Sequence, residues 1–298
     1  MKKWWGALGG TATVIGAAAW VLTLSSIGSS ALWATVLFLL IVVLAGGLAV
    51  ARGSAGGESA IDALRRAELF RSAAGDLISP DMATRLSGIG ALGMLRRESP
   101  EHARPVRDLL LHWARSRTSD GNPADPEVRR GSTADLAAAV KELGAHAPAG
   151  AIDLSDCDLS RCDLAAARLS GILLARATLD HADLRKAYIG NGDLTGASLR
   201  GADLTDSHLA HARLSDARMQ RADLTGADLR DADLAGADLA GTTVTNAQFI
   251  GADLRGTVLE DVDLRAAKGL SPGQLRQAQL NHGTVLPATI SWGEISSR

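Results

Sequence analysis

The sequence predicts a solenoid of five-residue units over residues 149–266. A hairpin of two membrane-spanning helices (1–52) and a small α-helical segment (53–148) precede it, and a helical cap and tail (267–298) close it. Three observations carry this expectation. A phrase of small residue, Asp or another polar residue, Leu, then two loosely chosen residues recurs unbroken from Ile152 to Ala266. The run from Trp4 to Ala51 holds no Asp, Glu, Lys, Arg or His over 48 residues. Between the two, apolar residues recur at intervals of three and four, the period of a helix face.

A bilayer core takes about 20 residues of helix. The uncharged run therefore fits two spans, about 4–24 and 31–51, joined by the turn Ser25-Ser26-Ile27-Gly28-Ser29-Ser30. Lys2 and Lys3 flank the first span and Arg52, Arg65 and Arg66 follow the second, which puts both ends on the cytoplasmic side. The expectation is a multi-pass protein of the bacterial inner (plasma) membrane, with both termini and the repeat cytoplasmic. A cleaved signal peptide ending near Ala17-Ala18-Ala19 is the competing reading of the first span, with the second kept as an anchor.

After the joint Gly53–Gly57, Ile61, Leu64 and Leu69 begin a helix that Ile78-Ser79-Pro80 ends. Met82, Leu86, Ile89, Leu92 and Leu95 form the stripe of a second. Ser99 and Pro100 read as the N-cap and first residue of a third, with Val106, Leu109, Leu110 and Trp113 as its apolar face. Residues 117–131 read as a loop. A fourth helix starts near Ser132, with Asp135 as capping-box partner, and buries Leu136, Val140 and Leu143. The arginines of this segment (65, 66, 71, 85, 96, 97, 104, 107) alternate with acidic residues, which reads as solvated helix faces rather than a nucleic-acid-binding module.

A period of five matches neither a helix face at 3.6 nor a strand at 2.0. Sustained fixed-period repetition marks a solenoid, whose units bury their apolar side only by stacking. The Leu-type position recurs 23 times from Leu154 to Leu264, replaced only by Ile189, Met219, Val244 and Phe249. Two residues earlier the side chain is nearly always small, and both cysteines, Cys157 and Cys162, stand there. Too few for a disulfide framework, they read as small buried residues of a reducing compartment.

These units resemble the bacterial pentapeptide-repeat proteins. The resemblance implies an all-β right-handed quadrilateral β-helix with one unit per side and four per coil, the Leu and small positions inward. It extends upstream, where Arg85-Leu86-Ser87-Gly88-Ile89-Gly90-Ala91-Leu92 followed by Arg97-Glu98-Ser99-Pro100 is similar to the helical segment of membrane-anchored members. Gly90 and Gly93 depart from that pattern, which has an aromatic and a charged residue there. Downstream, Ala267-Lys268-Gly269-Leu270, Gln274-Leu275, Ala278 and Thr284-Val285-Leu286-Pro287 resemble the closing segment. Ser271 and Pro272 open a helix through about Leu280 that would cover the last coil, as an exposed solenoid end requires.

Composition narrows the function. The net charge of −2 draws the chain neither to nucleic acid nor to anionic lipid. The outward Asp residues recur as part of the pattern, with no His or Lys placed to tune one against another, so no catalytic residue and no enzyme are expected. His208 and His211 lack a third ligand, so neither a metal nor a cofactor is expected. The expectation is a non-enzymatic interaction scaffold with a protein partner that the sequence does not name, and homo-oligomerisation left open. The alternative comes from the resemblance, since some pentapeptide-repeat proteins mimic DNA and protect DNA gyrase. Against it, the sides centred on Leu154, Leu159, Leu164 and Leu169 carry net charges of only −3, −1, −3 and 0. The neutral Leu169 side displays Tyr188, His208, His211, Gln248 and Ile250. These five, with Leu173 and Val258 at outward positions usually held by Asp, are the candidate interaction face.

Overall fold

The computed structural model describes residues 60–119, 133–145 and 152–296. Helix α1 (Ala60–Asp76) packs on α2 (Met82–Glu98), α2 on α3 (Pro100–Ser119), and α4 (Ala134–Ala145) on both α2 and α3. Pro80 disfavours helical backbone at Ser79 and so separates α1 from α2. Asp81 then caps α2, its carboxylate accepting from Thr84 N at 2.8 Å. The expected face of α3 (Val106, Leu109, Leu110, Trp113) is buried, and Trp113 Nε1 donates to the Leu77 carbonyl at 2.9 Å.

Three details of this segment differ from expectation. Leu64 and Leu69 are exposed, because α1 turns Phe70, Ala73, Ala74 and Leu77 inward instead. Arg85 and Arg96 are interior rather than solvated. Arg96 Nη1 donates to the carbonyls of Glu142 (2.9 Å) and Leu143 (3.3 Å), groups that the end of α4 leaves without helical partners. Gly93 gives Glu142 its place, since a Cβ there would lie 2.4 Å from the Glu142 Cδ. Asp135 is no exposed cap. Its carboxylate is fully buried, accepting from Arg85 Nε at 2.6 Å and Arg117 Nη2 at 3.3 Å.

From Ile152 onward the chain winds as a stack of coils. Residue i bridges residue i+20 in parallel, as in Asp163 to Asp183 to Asp203 to Asp223, so four units make one coil. Every Leu-type position is buried, and so are the small positions. Each unit turns its corner with an i to i+3 bond, such as Cys157 N to Leu154 O at 3.3 Å. The second corner residue has positive φ, 55° to 72°, at 22 successive units from Asp156 to Asp261, and 14 of these are not glycine. Left-handed backbone costs a non-glycine residue roughly 1–2 kcal/mol. What holds it is the ladder: the same residue's N–H donates to the next coil, as Asp156 N does to Ala175 O at 3.0 Å.

The Asp residues have a structural task. Of the 23 outward positions between small residue and Leu, 12 are Asp, and every one accepts the backbone N–H two residues on, from Asp153 with Ser155 to Asp263 with Arg265. That Asx-turn bond occupies an amide that the corner would otherwise leave to water.

Both ends are covered. At the first coil, Thr133 Oγ1 donates to Arg161 O (3.2 Å), Lys141 pairs with Asp163 (3.0 Å) and Arg115 with Asp153 (3.1 Å). Gly144 lies so close to the coil that a Cβ would sit 2.0 Å from the Arg168 carbonyl oxygen. The free Cys162 is buried here, and burial pushes its thiol up to about 12. At the far end the helix expected through Leu280 is shorter. Helix α5 spans Pro272–Leu275, with a capping box between Ser271 and Gln274. The tail then rejoins the ladder, Gln279 bridging Val258 and Val285 bridging Asp263, because Thr284 Oγ1 and Asn281 Oδ1 tie the returning turn. A last helix, α6 (Trp292–Ser296), follows.

The membrane hairpin must be corrected. Residues 4–51 lie outside the described residues, and among the described residues no helix is long and apolar enough to cross a membrane. The longest, α3, carries Glu101, Arg104, Arg107, Asp108, Arg115 and Arg117 along its 20 residues. The transmembrane part of the expected fold, the multi-pass inner-membrane localisation and the cytoplasmic placement that rested on it therefore have no structural support. Among the described residues the fold is a helical segment leading into a β-helix.

Candidate interaction face

The coil register decides which outward residues are neighbours. On the Leu169 side the bridged column runs Arg168, Tyr188, His208, Asp228, Gln248, Lys268. Tyr188 and His208, one coil apart, stack with ring centroids 4.5 Å apart and planes 20° from parallel. Adjacent coils lie about 4.8 Å apart, so the ladder itself sets this stacking distance. Tyr188 stays 46% exposed despite the stack. Up to residue 251 the side carries four charges that cancel, Arg168 and Arg230 against Asp228 and Asp231, and Asp228, 9% exposed, is clamped by Arg230 at 2.7 Å in its own unit.

His211 and Ile250 stand at corners of the same side, His211 with φ 58°. Ile250 is 55% exposed. The tail crosses beside it at Gly269, φ 76°, where a Cβ would lie 2.2 Å from the Ile250 Cγ1 and 2.9 Å from its backbone nitrogen. Only glycine fits that crossing.

Five of the seven candidate residues thus share one side, and two do not. Leu173 sits between Asp153 and Asp193 on the Leu154 side, and Val258 between Asp238 and Gln279 on the Leu159 side. Both are half-buried by their column neighbours. The structure does not bring them to Tyr188.

In the repeat, neighbouring arginines favour the ionised form of four carboxylates. Arg185, Arg230 and Arg255 donate to the Asp two residues before each, holding Asp183, Asp228 and Asp253 below the usual range. Arg265 takes Asp263 down to about 2. A general acid near neutral pH needs the opposite shift. The same pairs predict an acid response. A carboxylate with a lowered folded pKa contributes stability above its unfolded value, about 3.9, and loses it as pH falls through the folded one. The melting temperature of the chain should therefore be nearly level from about pH 7 to pH 5 and fall between about pH 4 and pH 2. Thermal melts followed by circular dichroism across that range check it. Among the described residues no group of His, Cys, Asp and Glu is placed to hold a metal ion.

The family model for pentapeptide repeats matches residues 152–191, 193–231 and 232–268 in eight copies. Among solved structures, Rfr23, a pentapeptide repeat protein from the cyanobacterium Cyanothece, is 29% identical over 35% of this chain and 63% of its own, with a TM-score of 0.23. A pentapeptide repeat protein of the Arabidopsis thaliana thylakoid lumen is 30% identical over 37% and 66%, TM-score 0.23. QnrB1, a plasmid-mediated fluoroquinolone resistance protein, is 19% identical over 46% and 80%, TM-score 0.27. The chain spans less than two thirds of the length of the first two. No curated protein matches it.

Proposed function

We propose that this chain, a pentapeptide-repeat protein over residues 152–268, is a non-enzymatic scaffold whose Leu169 side docks a protein partner. One observation carries the reading: an exposed Tyr188–His208 stack stands on the one side whose charges cancel over residues 152–266. Aromatic residues with a rigid setting bury much area for little lost entropy, which is what a docking anchor needs. The backbone beneath is held by bonds from both neighbouring coils, Tyr188 N to Ala167 O at 2.9 Å and Ile189 N to His208 O at 2.8 Å, so the anchor is preorganised.

The DNA-mimic alternative finds less support. The longest Asp column, Asp163, Asp183, Asp203 and Asp223, offers one carboxylate per coil, or per about 4.8 Å. Duplex DNA carries one charge per about 1.7 Å. Lys141 and Arg185 further neutralise the first three of these carboxylates.

Photo-crosslinking in the cell tests the docking reading. A crosslinking residue at Tyr188 or His208 should give a discrete adduct that one at Arg185, on another side, does not. The adduct formed from His208 should be lost on combining Tyr188→Asp with Ile250→Asp. Equal adducts from both sides, or an adduct indifferent to the two substitutions, would reject it.

A further inference from the structure

A second surface, on a different side and independent of the Tyr188 face, has its own chemistry. The repeat is acidic overall, with 19 acidic and 12 basic residues between 151 and 266. Six of its arginines are neutralised by Asp, namely Arg176, Arg185, Arg213, Arg230, Arg255 and Arg265. Among the described residues the other five, Arg161, Arg168, Arg200, Arg218 and Arg221, form no ion pair, and the last three lie together. All three are exposed. They occupy two stacked units of the Leu159 side, 197–201 and 217–221, which contain no acid and sum to +3.

The acids that could have quenched this patch are held by other donors. Asp180, one coil before, accepts from Ser198 Oγ at 2.6 Å and from the backbone N of Arg200 at 3.0 Å. Asp238, one coil after, accepts from the Gln220 side chain and from Ala240 N at 3.0 Å. Gln220 in turn receives Arg200 Nε at 3.1 Å, so an amide rather than a carboxylate steadies that guanidinium. In the corner column Arg221 lies between Gly201 and Gly241, where a Cβ on Gly241 would only just reach the Arg221 Cγ at 3.9 Å. No side chain above or below it in the column covers its guanidinium.

We propose that Arg200, Arg218 and Arg221 form a docking point for a short carboxylate-bearing segment of a partner protein. Guanidinium forks match carboxylates in two-point geometry, and three of them within one coil spacing suit two or three acidic side chains. A nucleic-acid strand suits the patch less well. Its unbroken phosphates would run onto Asp180 and Asp238, within one coil on either side. Charge placed this way speeds encounter and selects the partner.

Fluorescence anisotropy with the full chain and a fluorescein-labelled oligoglutamate peptide tests it, beside a neutral glycine–serine peptide and a labelled oligothymidylate. At low ionic strength the acidic peptide should bind best, and Arg218→Glu with Arg221→Glu should weaken it by about tenfold or more. Salt at physiological strength should weaken it as well. Arg218→Gln with Arg221→Gln, which removes charge without adding any, should act in the same direction with the circular dichroism unchanged. Absence of acidic-peptide binding, oligothymidylate binding as tight as the peptide's, or affinities unmoved by the Gln pair would each overturn the proposal.

Discussion

Asp135→Ala should lower the unfolding free energy by about 3–5 kcal/mol, the usual result of stranding one member of a buried ion pair. The Asp135 side chain is 0% exposed and that of Arg85 8%. The carboxylate accepts from Arg85 Nε at 2.6 Å, Arg117 Nη2 at 3.3 Å and the backbone N of Leu136 at 2.8 Å. Arg85 also donates through Nη1 to Ser79 O and Pro80 O, both at 2.8 Å, which ties the α1–α2 turn to the start of α4. Removing Asp135 leaves that guanidinium charged, buried and without the carboxylate it pairs with. Arg265→Ala makes the contrast. It breaks an ion pair at 2.6 Å whose partners are 69% and 51% exposed, and solvent screening leaves such exposed pairs with little effect on stability. Urea unfolding followed by circular dichroism distinguishes the two. The Arg85→Ala, Asp135→Ala double variant should lose less than the sum of the singles, because the second change removes the charge that the first one strands.

This pair also marks where the sequence stopped being legible. The five-residue period settles the interior of the β-helix position by position, because Leu and Ala can satisfy it only by facing inward. Helical periodicity likewise locates α3, whose Val106, Leu109, Leu110 and Trp113 recur on one face. Arg85 and Arg96 were opaque for a physical reason: a charged residue is solvated by default, and only a partner from a distant helix changes that. Asp135 lies 50 residues from Arg85, and nothing local announces the pairing. The Asp positions were visible as pattern but not as turn caps, although Ser, Thr or Arg two residues on was a usable clue. The unquenched arginines follow from the i+20 register, yet their lack of ion pairs depends on side-chain choices by Ser198 and Gln220. On the Leu169 side, the stacking of Tyr188 on His208 follows from the same register, since the two are 20 residues apart.

Phe249→Ala should cost about 3–5 kcal/mol, as truncation of a buried Phe does, and the loss should stay near one end of the stack. Phe249 is the only aromatic among the 23 Leu-type positions and is 1% exposed. Its backbone N donates to Lys268 O at 2.8 Å, and its carbonyl accepts Gln274 Nε2 at 2.9 Å, so it supports the tail as well as filling the coil. Alanine would leave a cavity under α5 that the neighbouring coils, held by their own ladder bonds, cannot collapse to fill. Phe249→Leu restores the residue used at most other units and should cost much less. Coils interact with their neighbours alone, so hydrogen exchange should rise around 244–285 and remain slow around 159–209. Exchange that rises uniformly would mean that the stack unfolds as one unit. The locality bears on function. Gln248 and Ile250 flank Phe249 directly, whereas Tyr188 lies three coils, or about 15 Å, away. Phe249→Ala should therefore disturb one end of the proposed docking face while the Tyr188–His208 stack still crosslinks, showing whether a partner needs the whole side or the aromatic pair alone.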